Sequence, residues 1–313
     1  MQLWGLCPIG WTLPNLMTKQ HFLTLKDVSQ RELETIVKRA IELKQDPQQA
    51  VRAELKTLGL IFSKASTRTR VAFEVAMNQL GGSTVFLTDS DSQTGRGEPV
   101  ADTARVISSM VDLVAVRTHA HCQLEEFAAY SRVPVINALS DDFHPCQLLA
   151  DVQTFMEVRG SIRDARVAWI GDGNNMCQSY INAAAAFGFS LSIACPPGYE
   201  PNHQLLKDNK HCVRLADDPA QAARGADLVV TDVWASMGSE AEALHRKQQF
   251  GGFQVTPDLM AQAATDALFM HCLPAHRGEE VTADVIDSSA SVVWQEAENR
   301  MHSQKALIEF LLS

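Results

Sequence analysis

The sequence predicts an α/β protein built from two doubly wound parallel-sheet domains, with a C-terminal helix that packs back on the first domain. Short runs rich in β-branched and aliphatic residues alternate with longer helical patterns, which is typical of βαβ units. With 313 residues the chain is long for one core, and a polar break over 159–164 precedes a fresh strand. The helical pattern beyond residue 295 is long enough to reach back across that break.

The alternation places the predicted elements in order along the chain. Strands are predicted over 57–62, 84–87, 112–116, 133–137, 166–170, 190–194, 227–231 and 268–271. Helices are predicted over 68–80, 100–110, 123–130, 146–158, 175–187, 239–249 and 295–312. In the first of these helices Phe73, Met77 and Leu80 recur on one face, and Gly81 suits a left-handed helix end.

The chain is predicted to divide into four segments. Residues 1–16 are apolar and uncharged, but they lack the basic region and the cleavage site of a secretory signal. Helical patterning begins only beyond Met17, so we expect Met17 to be the natural start and 1–16 to be either a disordered extension or a mis-assigned start. The first domain is then predicted over 17–158, the second over 159–294 and the returning helix over 295–313.

Composition and charge exclude several classes of protein. With 46% hydrophobic and 20% charged residues, the chain has the composition of a globular protein. Its net charge of −10, from 27 Lys and Arg against 37 Asp and Glu, repels nucleic acid and anionic membranes, so neither is an expected partner. No run of about 20 apolar residues is present to span a bilayer. The 7 cysteines are scattered without a CxxC pair, which favours free thiols in a reducing cytoplasm.

The clearest candidate site follows the first strand, because ligands of doubly wound sheets bind beyond the carboxyl ends of strands. There Ser66, Thr67, Arg68 and Thr69 open an apolar-periodic helix. The free N–H groups of the helix start, the hydroxyls and the guanidinium together predict an anion site, with Ser66 or Thr67 as the cap. The alternative is a capping residue followed by solvated arginines. Two arginines in a first turn disfavour it, because they oppose the helix dipole unless an anion compensates.

Further polar residues follow other strands. Arg117 and the His-Pro-Cys-Gln segment 144–147 lie at strand ends in the same half as the anion site, although each alone also fits a surface arginine or an ordinary helix start. The segment 171–175 suggests a dinucleotide turn, but Met176 stands where the third glycine belongs, and no acidic residue ends the next strand. A tight turn that exposes Asn175 is therefore favoured over nicotinamide binding.

The second half adds two candidates of its own. Asp232 ends a Val-rich strand, where a carboxylate can hold a substrate ammonium. Cys272 follows another strand and can help to orient or deprotonate a nucleophile. Zinc is a competing interpretation for the His and Cys residues of 119–122 and 271–276, yet neither has a partner pair at a usual structural spacing. No metal is therefore expected.

Together these clusters resemble the motifs of the carbamoyltransferase family. Residues 66–70 match its carbamoyl-phosphate signature, and 144–147 match its His-Pro-x-Gln motif. The segments 232–238 and 271–274 are similar to those of the ornithine-using members. The resemblance covers about residues 20 to 313 and extends to 102–106, 171–175 and 296–300.

The resemblance implies an enzyme that transfers a carbamoyl group from carbamoyl phosphate to ornithine, without a cofactor or a metal. It also implies a homotrimer with sites between subunits, and two α/β domains that close on the second substrate. Gln93 resembles the residue contributed by a neighbouring subunit. The implied catalytic residues are Arg68, Arg117, His144, Asp232 and Cys272.

The same resemblance implies binding roles residue by residue. The phosphate is expected to contact Ser66, Thr67, Arg68 and Thr69, and the carbonyl and amide of the carbamoyl group to contact Arg117, His144 and Gln147. Cys272, the Leu273 carbonyl and Arg300 resemble the groups around the reacting amine and the carbamoyl unit. The amino-acid end of ornithine is expected to contact Asn175, Asp232, Ser236 and the backbone of Met237.

Several other activities stay open. An aspartate-using enzyme would not need the segment 232–238 or Cys272, whereas N-acylated ornithine or putrescine remain possible acceptors. A nucleotide-dependent oxidoreductase would bind NAD tightly, and a non-catalytic binding protein would bind phosphate without forming a product. The segment 274–282 is more similar to biosynthetic members of the family, so arginine synthesis is favoured over citrulline breakdown.

Overall fold

Two parallel β-sheets form the framework of the protein, and the computed structural model describes residues 20–88, 97–235 and 243–313. The first sheet has the order β2-β1-β3-β4, and its strands are β1 (Thr57–Phe62), β2 (Ser83–Thr88), β3 (Leu113–Arg117) and β4 (Val135–Leu139). The second has the order β7-β6-β5-β8-β9, and its strands are β5 (Arg166–Ile170), β6 (Ser190–Ala194), β7 (Val213–Leu215), β8 (Leu228–Thr231) and β9 (Leu268–His271).

Helices connect the parallel strands, as in βαβ units. The helices of the first part of the chain are α1 (Gln30–Gln45), α2 (Thr67–Gln79), α3 (Val100–Ile107), α4 (His121–Tyr130) and α5 (Pro145–Arg159). Those of the second part are α6 (Asn175–Phe187), α7 (His203–Asp208), α8 (Pro219–Ala223), α9 (Ala243–Phe250), α10 (Pro257–Met260), α11 (Ala283–Ile286) and α12 (Val293–Leu312).

Side-chain alternation along the central strands shows that both faces of each sheet are covered. In β1, Leu60 and Phe62 pack into the core that contains α1, α2, α5 and α12, whereas Ile61 packs against α3 and α4. In β5, Trp169 packs toward α6, whereas Ile170 packs toward α8, α10 and α11. The doubly wound α/β prediction is therefore confirmed.

The C-terminal helix packs back on the helices of the first half of the chain, as predicted. α12 packs against α5, α1 and α2, and it also contacts β9 of the second sheet. Leu307 and Ile308 are fully buried in the core shared with α1 and α5. The helix therefore joins the two halves of the molecule.

In each sheet the strand order reverses next to its first strand, and this places the site. In the first sheet β1 has β2 on one side and β3 on the other, and in the second β5 lies between β6 and β8. The crevice at such a switch point is where ligands of doubly wound sheets bind. It is formed here by the chain after β1 and β3 and by the chain after β5 and β8.

Several elements differ from the sequence prediction. α1 was not predicted, although Ser29 and Glu32 form a reciprocal capping box whose spacing is visible in the sequence. β7 and the short helices α7, α8, α10 and α11 were also not predicted, because so few residues carry little periodic signal. The predicted helix 239–249 begins at Ala243 in the part that can be described, and 1–16 and 239–242 lie outside the described residues.

The expected helix ends of α2 are half right. Gly81 adopts a φ of +85°, as predicted for a left-handed position. Ser66 occupies the N-cap position, as predicted, but its side chain forms no capping hydrogen bond. Among the described helices, moreover, none combines the length and apolar character that a membrane crossing needs.

Candidate active site

A cavity of about 290 Å³ lies at the switch point of the first sheet, and residues of both halves of the chain form its wall. The first half contributes the start of α2, the end of β3 and the start of α5. The second half contributes the turn after β9 and one residue of α12. The wall consists of Ala65, Ser66, Thr67, Arg68, Thr69, Arg117, Leu139, His144, Gln147, Cys272, Leu273, Pro274 and Arg300.

The start of α2 forms one end of this cavity. Since no side chain caps the helix, its first N–H groups stay available to an anion, and the helix dipole favours negative charge there. Thr69 is buried, and its Oγ1 accepts a hydrogen bond from Nη2 of Arg300. α12 therefore fixes a side chain of the first turn of α2.

Three guanidinium groups converge on the same end. Arg117 and Arg300 are buried and Arg68 is exposed. Burial lowers the pKa of Arg117 to about 10, with further lowering by the charges of Arg300 and Arg68. The Nε atoms of Arg117 and Arg300 have no hydrogen-bond partner within the described parts of the chain. Unpaired buried cations are costly, so this end of the cavity is built for an anion.

His144 stands beside these cations as a neutral imidazole. Burial lowers its pKa well below the usual value, and the charges of Arg300 and Arg117 lower it further. Its backbone N–H donates to Oγ of Ser179 on α6 at 2.8 Å, while Nδ1 lacks a partner among the described residues. A neutral ring can donate one hydrogen bond to a carbonyl oxygen without adding charge.

Cys272 belongs to the cavity wall, and Asp232 lies behind it. The Sγ of Cys272 donates to Oδ1 of Asp232 at 3.1 Å, and Asn174 donates to Oδ2 at 2.8 Å. Burial raises the pKa of the Cys272 thiol well above its usual value, and the Asp232 charge raises it further. At neutral pH Cys272 is therefore a thiol, and its hydrogen bond to Asp232 suits a site for a cationic or amine ligand.

Leu273 forms the rim with a left-handed backbone, at a φ of +56°. This conformation is uncommon for a branched residue, and it is held by a hydrogen bond from its N–H to Nδ1 of His271 at 2.9 Å. The Nε2 of His271 lies 3.0 Å from Oε1 of Glu280. Asp232, His271 and Cys272 place potential metal-ligand atoms within 4.8 Å of one another, but both ring nitrogens of His271 are already engaged.

The glycine-rich turn after β5 is a packing feature. A Cβ on Gly173 would lie 2.2 Å from the backbone nitrogen of Pro201, so only glycine fits there. Asn174 caps α6 by accepting from the amides of Met176 and Cys177 at 2.9 and 3.1 Å. Because these amides are already bonded, the turn offers little to a pyrophosphate, which agrees with the rejection of a dinucleotide site.

The remaining predicted residues lie outside the cavity wall. Asn175 donates to the carbonyl of Ser140 at 2.8 Å and so links the two halves of the chain. Gln93, Ser236 and Met237 lie outside the described residues. Sequence interpretation assigned no role to Asp151 or to Glu296, which both accept a hydrogen bond from the Gln147 amide. Their spacing was the available signal, because each lies one helical turn from a cavity residue.

Comparison with protein families assigns both halves of the chain. Residues 20–157 match the carbamoyl-P binding domain of aspartate/ornithine carbamoyltransferase, and residues 163–311 match the Asp/Orn binding domain. The chain belongs to the aspartate/ornithine carbamoyltransferase family. The cavity of this carbamoyltransferase thus lies where segments of the two matched domains meet.

Individual relatives of this carbamoyltransferase agree over almost its whole length. The ornithine carbamoyltransferase of Nitrosococcus oceani is 60% identical over 299 residues, which are 95% of this chain and 98% of the relative. That of Psychrobacter sp. (strain PRwf-1) is 58% identical with the same coverage. The solved structure of ornithine carbamoyltransferase from Burkholderia thailandensis is 48% identical, with a TM-score of 0.87 over 94% of this chain and 98% of the other. For the anabolic enzyme of Campylobacter jejuni the identity is 44% and the TM-score 0.89, over 93% and 98%.

Proposed function

We propose that this carbamoyltransferase converts carbamoyl phosphate and L-ornithine into L-citrulline and phosphate, in the cytoplasm and in the direction of arginine biosynthesis. The observation that carries the proposal is the cavity itself. It joins an anion site at the start of α2 to Cys272, whose thiol contacts Asp232, the carboxylate that we assign to the acceptor. The names of the relatives support ornithine as the acceptor.

Carbamoyl phosphate fits the arginine-rich end. Its phosphate is placed against Ser66, Thr67, Arg68 and Thr69, where helix amides, hydroxyls and a guanidinium can all donate. Its carbamoyl group is placed against Arg117, His144, Gln147, Cys272, Leu273 and Arg300. The phosphate oxygens then face hydrogen-bond donors, and the carbamoyl group faces both donors and acceptors.

The reaction needs electrostatic stabilisation at two places. The neutral amine attacks the carbonyl carbon, a C–N bond forms, the C–O bond to phosphate breaks, and the amine loses a proton. Negative charge develops on the carbonyl oxygen, which Arg117 and His144 can stabilise, and on the departing phosphate, which Arg68 and the start of α2 can stabilise. No covalent enzyme intermediate is required.

The acceptor is placed on the second half. We assign the amino-acid end of ornithine to Asn175, Asp232, Ser236 and the backbone of Met237. We also assign the working assembly to a homotrimer in which a neighbouring subunit supplies Gln93. The division into a carbamoyl-phosphate domain at 17–158, an ornithine domain at 159–294 and a returning helix at 295–313 belongs to the same proposal.

A substrate panel tests the proposal. Carbamoyl phosphate is supplied with ornithine, N-acetylornithine, putrescine or aspartate in turn, and the ureido product is identified by mass spectrometry. We expect citrulline with ornithine and at least a hundredfold lower kcat/KM with the other acceptors. A higher rate with any other acceptor would replace ornithine in the proposal, and NAD binding without any ureido product would reject transfer.

Activity should rise with pH through the neutral range. The attacking amine must be neutral, and with a pKa of about 10.4 only roughly one molecule in a thousand qualifies at pH 7. His144, with a pKa well below 6.5, and Arg117, with a pKa of about 10, keep their charge states between pH 7 and 9. We therefore expect kcat/KM for ornithine to rise about tenfold per pH unit there. The measurement is a steady-state profile at constant ionic strength, with Tm as the control for folding. A flat profile from pH 6 to 9 contradicts this assignment.

Cys272→Ala should impair the use of ornithine more than the binding of carbamoyl phosphate. The change removes the thiol that donates to the buried Asp232 carboxylate and leaves the anion end of the cavity intact. We expect kcat/KM for ornithine to fall about 10- to 100-fold, and Kd for carbamoyl phosphate to change less than about threefold. The matched control is Cys146→Ala, because that buried thiol donates only to the Asn137 carbonyl. Equal losses for both substrates would contradict the prediction.

A further inference from the structure

A pair of buried carboxyl groups lies directly beneath the cavity. Asp151 on α5 and Glu296 on α12 are 2% and 1% exposed, and neither forms part of the cavity wall. Both accept from the same atom, since Nε2 of Gln147 donates to Oδ1 of Asp151 at 2.9 Å and to Oε1 of Glu296 at 3.0 Å. The two hydrogens of that amide nitrogen are thereby used.

The other end of the Gln147 amide is unpaired. Gln147 is fully buried and belongs to the cavity wall, and its Oε1 has no hydrogen-bond partner in the described portions of the chain. The opposite amide orientation would set Oε1 against two carboxyl acceptors, which is unfavourable in a buried site. The carboxyl pair therefore fixes which atom of Gln147 stays available, and that atom is an acceptor.

We infer that Asp151 and Glu296 are positioning residues that hold Gln147 with its acceptor toward the carbamoyl N–H, and thereby select carbamoyl phosphate over acetyl phosphate. This inference rests on the proposed function. Acetyl phosphate has nearly the same shape but carries a methyl group where carbamoyl phosphate carries NH2. A fixed acceptor distinguishes the two, because opposite a methyl group it loses its hydrogen bond. An amide free to rotate would discriminate less.

The surroundings of the pair keep it in place. Oδ2 of Asp151 accepts from the Tyr180 hydroxyl at 2.8 Å, and Oε2 of Glu296 accepts from the backbone N–H of His271 at 2.9 Å. Burial raises the pKa of Asp151 to about 6 and that of Glu296 well above its usual value. The positive charge of Arg300 opposes this shift at both carboxyl groups.

The two acids differ in one respect that a variant can exploit. Besides Gln147, each acid has a second donor. For Glu296 it is the backbone N–H of His271, which cannot become an acceptor. For Asp151 it is the Tyr180 hydroxyl, which can also accept. In Glu296→Gln the new NH2 cannot face the His271 amide, so it must face Gln147 and oppose its orientation. In Asp151→Asn the new NH2 can face the Tyr180 oxygen and leave Gln147 unchanged.

The experiment measures discrimination rather than activity alone. Citrulline formation by the wild-type enzyme is established first, and its absence would reject the proposed function independently of this inference. For each variant, kcat/KM and apparent affinity are measured for carbamoyl phosphate, and Ki is measured for acetyl phosphate as a competitor. We expect Glu296→Gln to weaken the binding of carbamoyl phosphate about 10- to 100-fold and to raise the Ki of acetyl phosphate less than about threefold. Asp151→Asn should keep the ratio of the two affinities within about threefold of wild type.

Two further variants keep the test decisive. Glu157→Gln is the matched control, because Glu157 accepts from Gln153 and Asn299 at the same α5–α12 contact without touching Gln147. It should leave the ratio unchanged. If Glu296→Gln fails to fold, Asp151→Asn combined with Tyr180→Phe replaces it, because the new NH2 then lacks the hydroxyl and must turn toward Gln147. Loss of discrimination in that double variant but in neither single variant supports the inference. The inference is overturned if the ratio of the two affinities is unchanged, or if both ligands bind equally more weakly, in Glu296→Gln or in the double variant that replaces it.

Discussion

Replacing Arg117 by Met should lower kcat/KM about a hundred- to a thousandfold and, in the absence of ligand, should raise the Tm. The loss follows because a buried guanidinium at the carbonyl end of the cavity no longer stabilises the developing oxyanion. The Tm should rise because the charge of Arg117 costs folding free energy at neutral pH. Burial and two neighbouring guanidinium groups lower its pKa to about 10. We expect the free energy of unfolding to rise by about 1 to 3 kcal/mol.

Calorimetry and kinetics on the same samples test both parts. Carbamoyl phosphate should raise the Tm of wild type strongly, because an anion relieves the repulsion among Arg68, Arg117 and Arg300. In Arg117→Met the rise in Tm on binding carbamoyl phosphate should be smaller. The control is Arg166→Met, which removes an exposed arginine paired with Asp227 far from the cavity and should leave activity unchanged. A lower Tm together with near-normal activity in Arg117→Met would contradict the assignment.

The sequence was sufficient for the fold because its signals are local. Every predicted strand appears within a few residues of its expected position, since short runs of Val, Ile and Leu between turn residues are typical of buried strands. β7 was missed because it is a short edge strand whose Leu215 is half exposed. α1 was missed despite its capping box and its buried stripe of Leu33, Ile36 and Val37.

The cavity could be predicted only in part, for a physical reason. Ser66 to Thr69 follow β1 and Arg117 ends the neighbouring β3, so topology brings them together. Which side chains hold them is decided by α12, which returns from the end of the chain to place Arg300 on Thr69 and Glu296 under Gln147. Such contacts across the whole sequence leave no periodic pattern, so the buried carboxyl pair had no sign beyond its helical spacing.

Replacing Arg68 by Ala should also lower kcat/KM about a hundred- to a thousandfold, but with no gain in stability. Arg68 is exposed in the first turn of α2, so in the free protein its charge costs little folding free energy. When substrate binds, the phosphate covers the guanidinium, and the variant then lacks a charge-assisted contact to it. The matched control is Arg70→Ala in the same turn. Arg70 bonds to Glu74 at 2.9 Å and stacks 3.6 Å from the Phe86 ring centroid, outside the cavity wall, so we expect less than a threefold effect. Both variants are compared by kcat/KM, by Kd for inorganic phosphate and by Tm. Equal losses in the two variants would mean that general positive potential attracts the substrate, whereas a loss confined to Arg68→Ala assigns the phosphate to the first turn of α2.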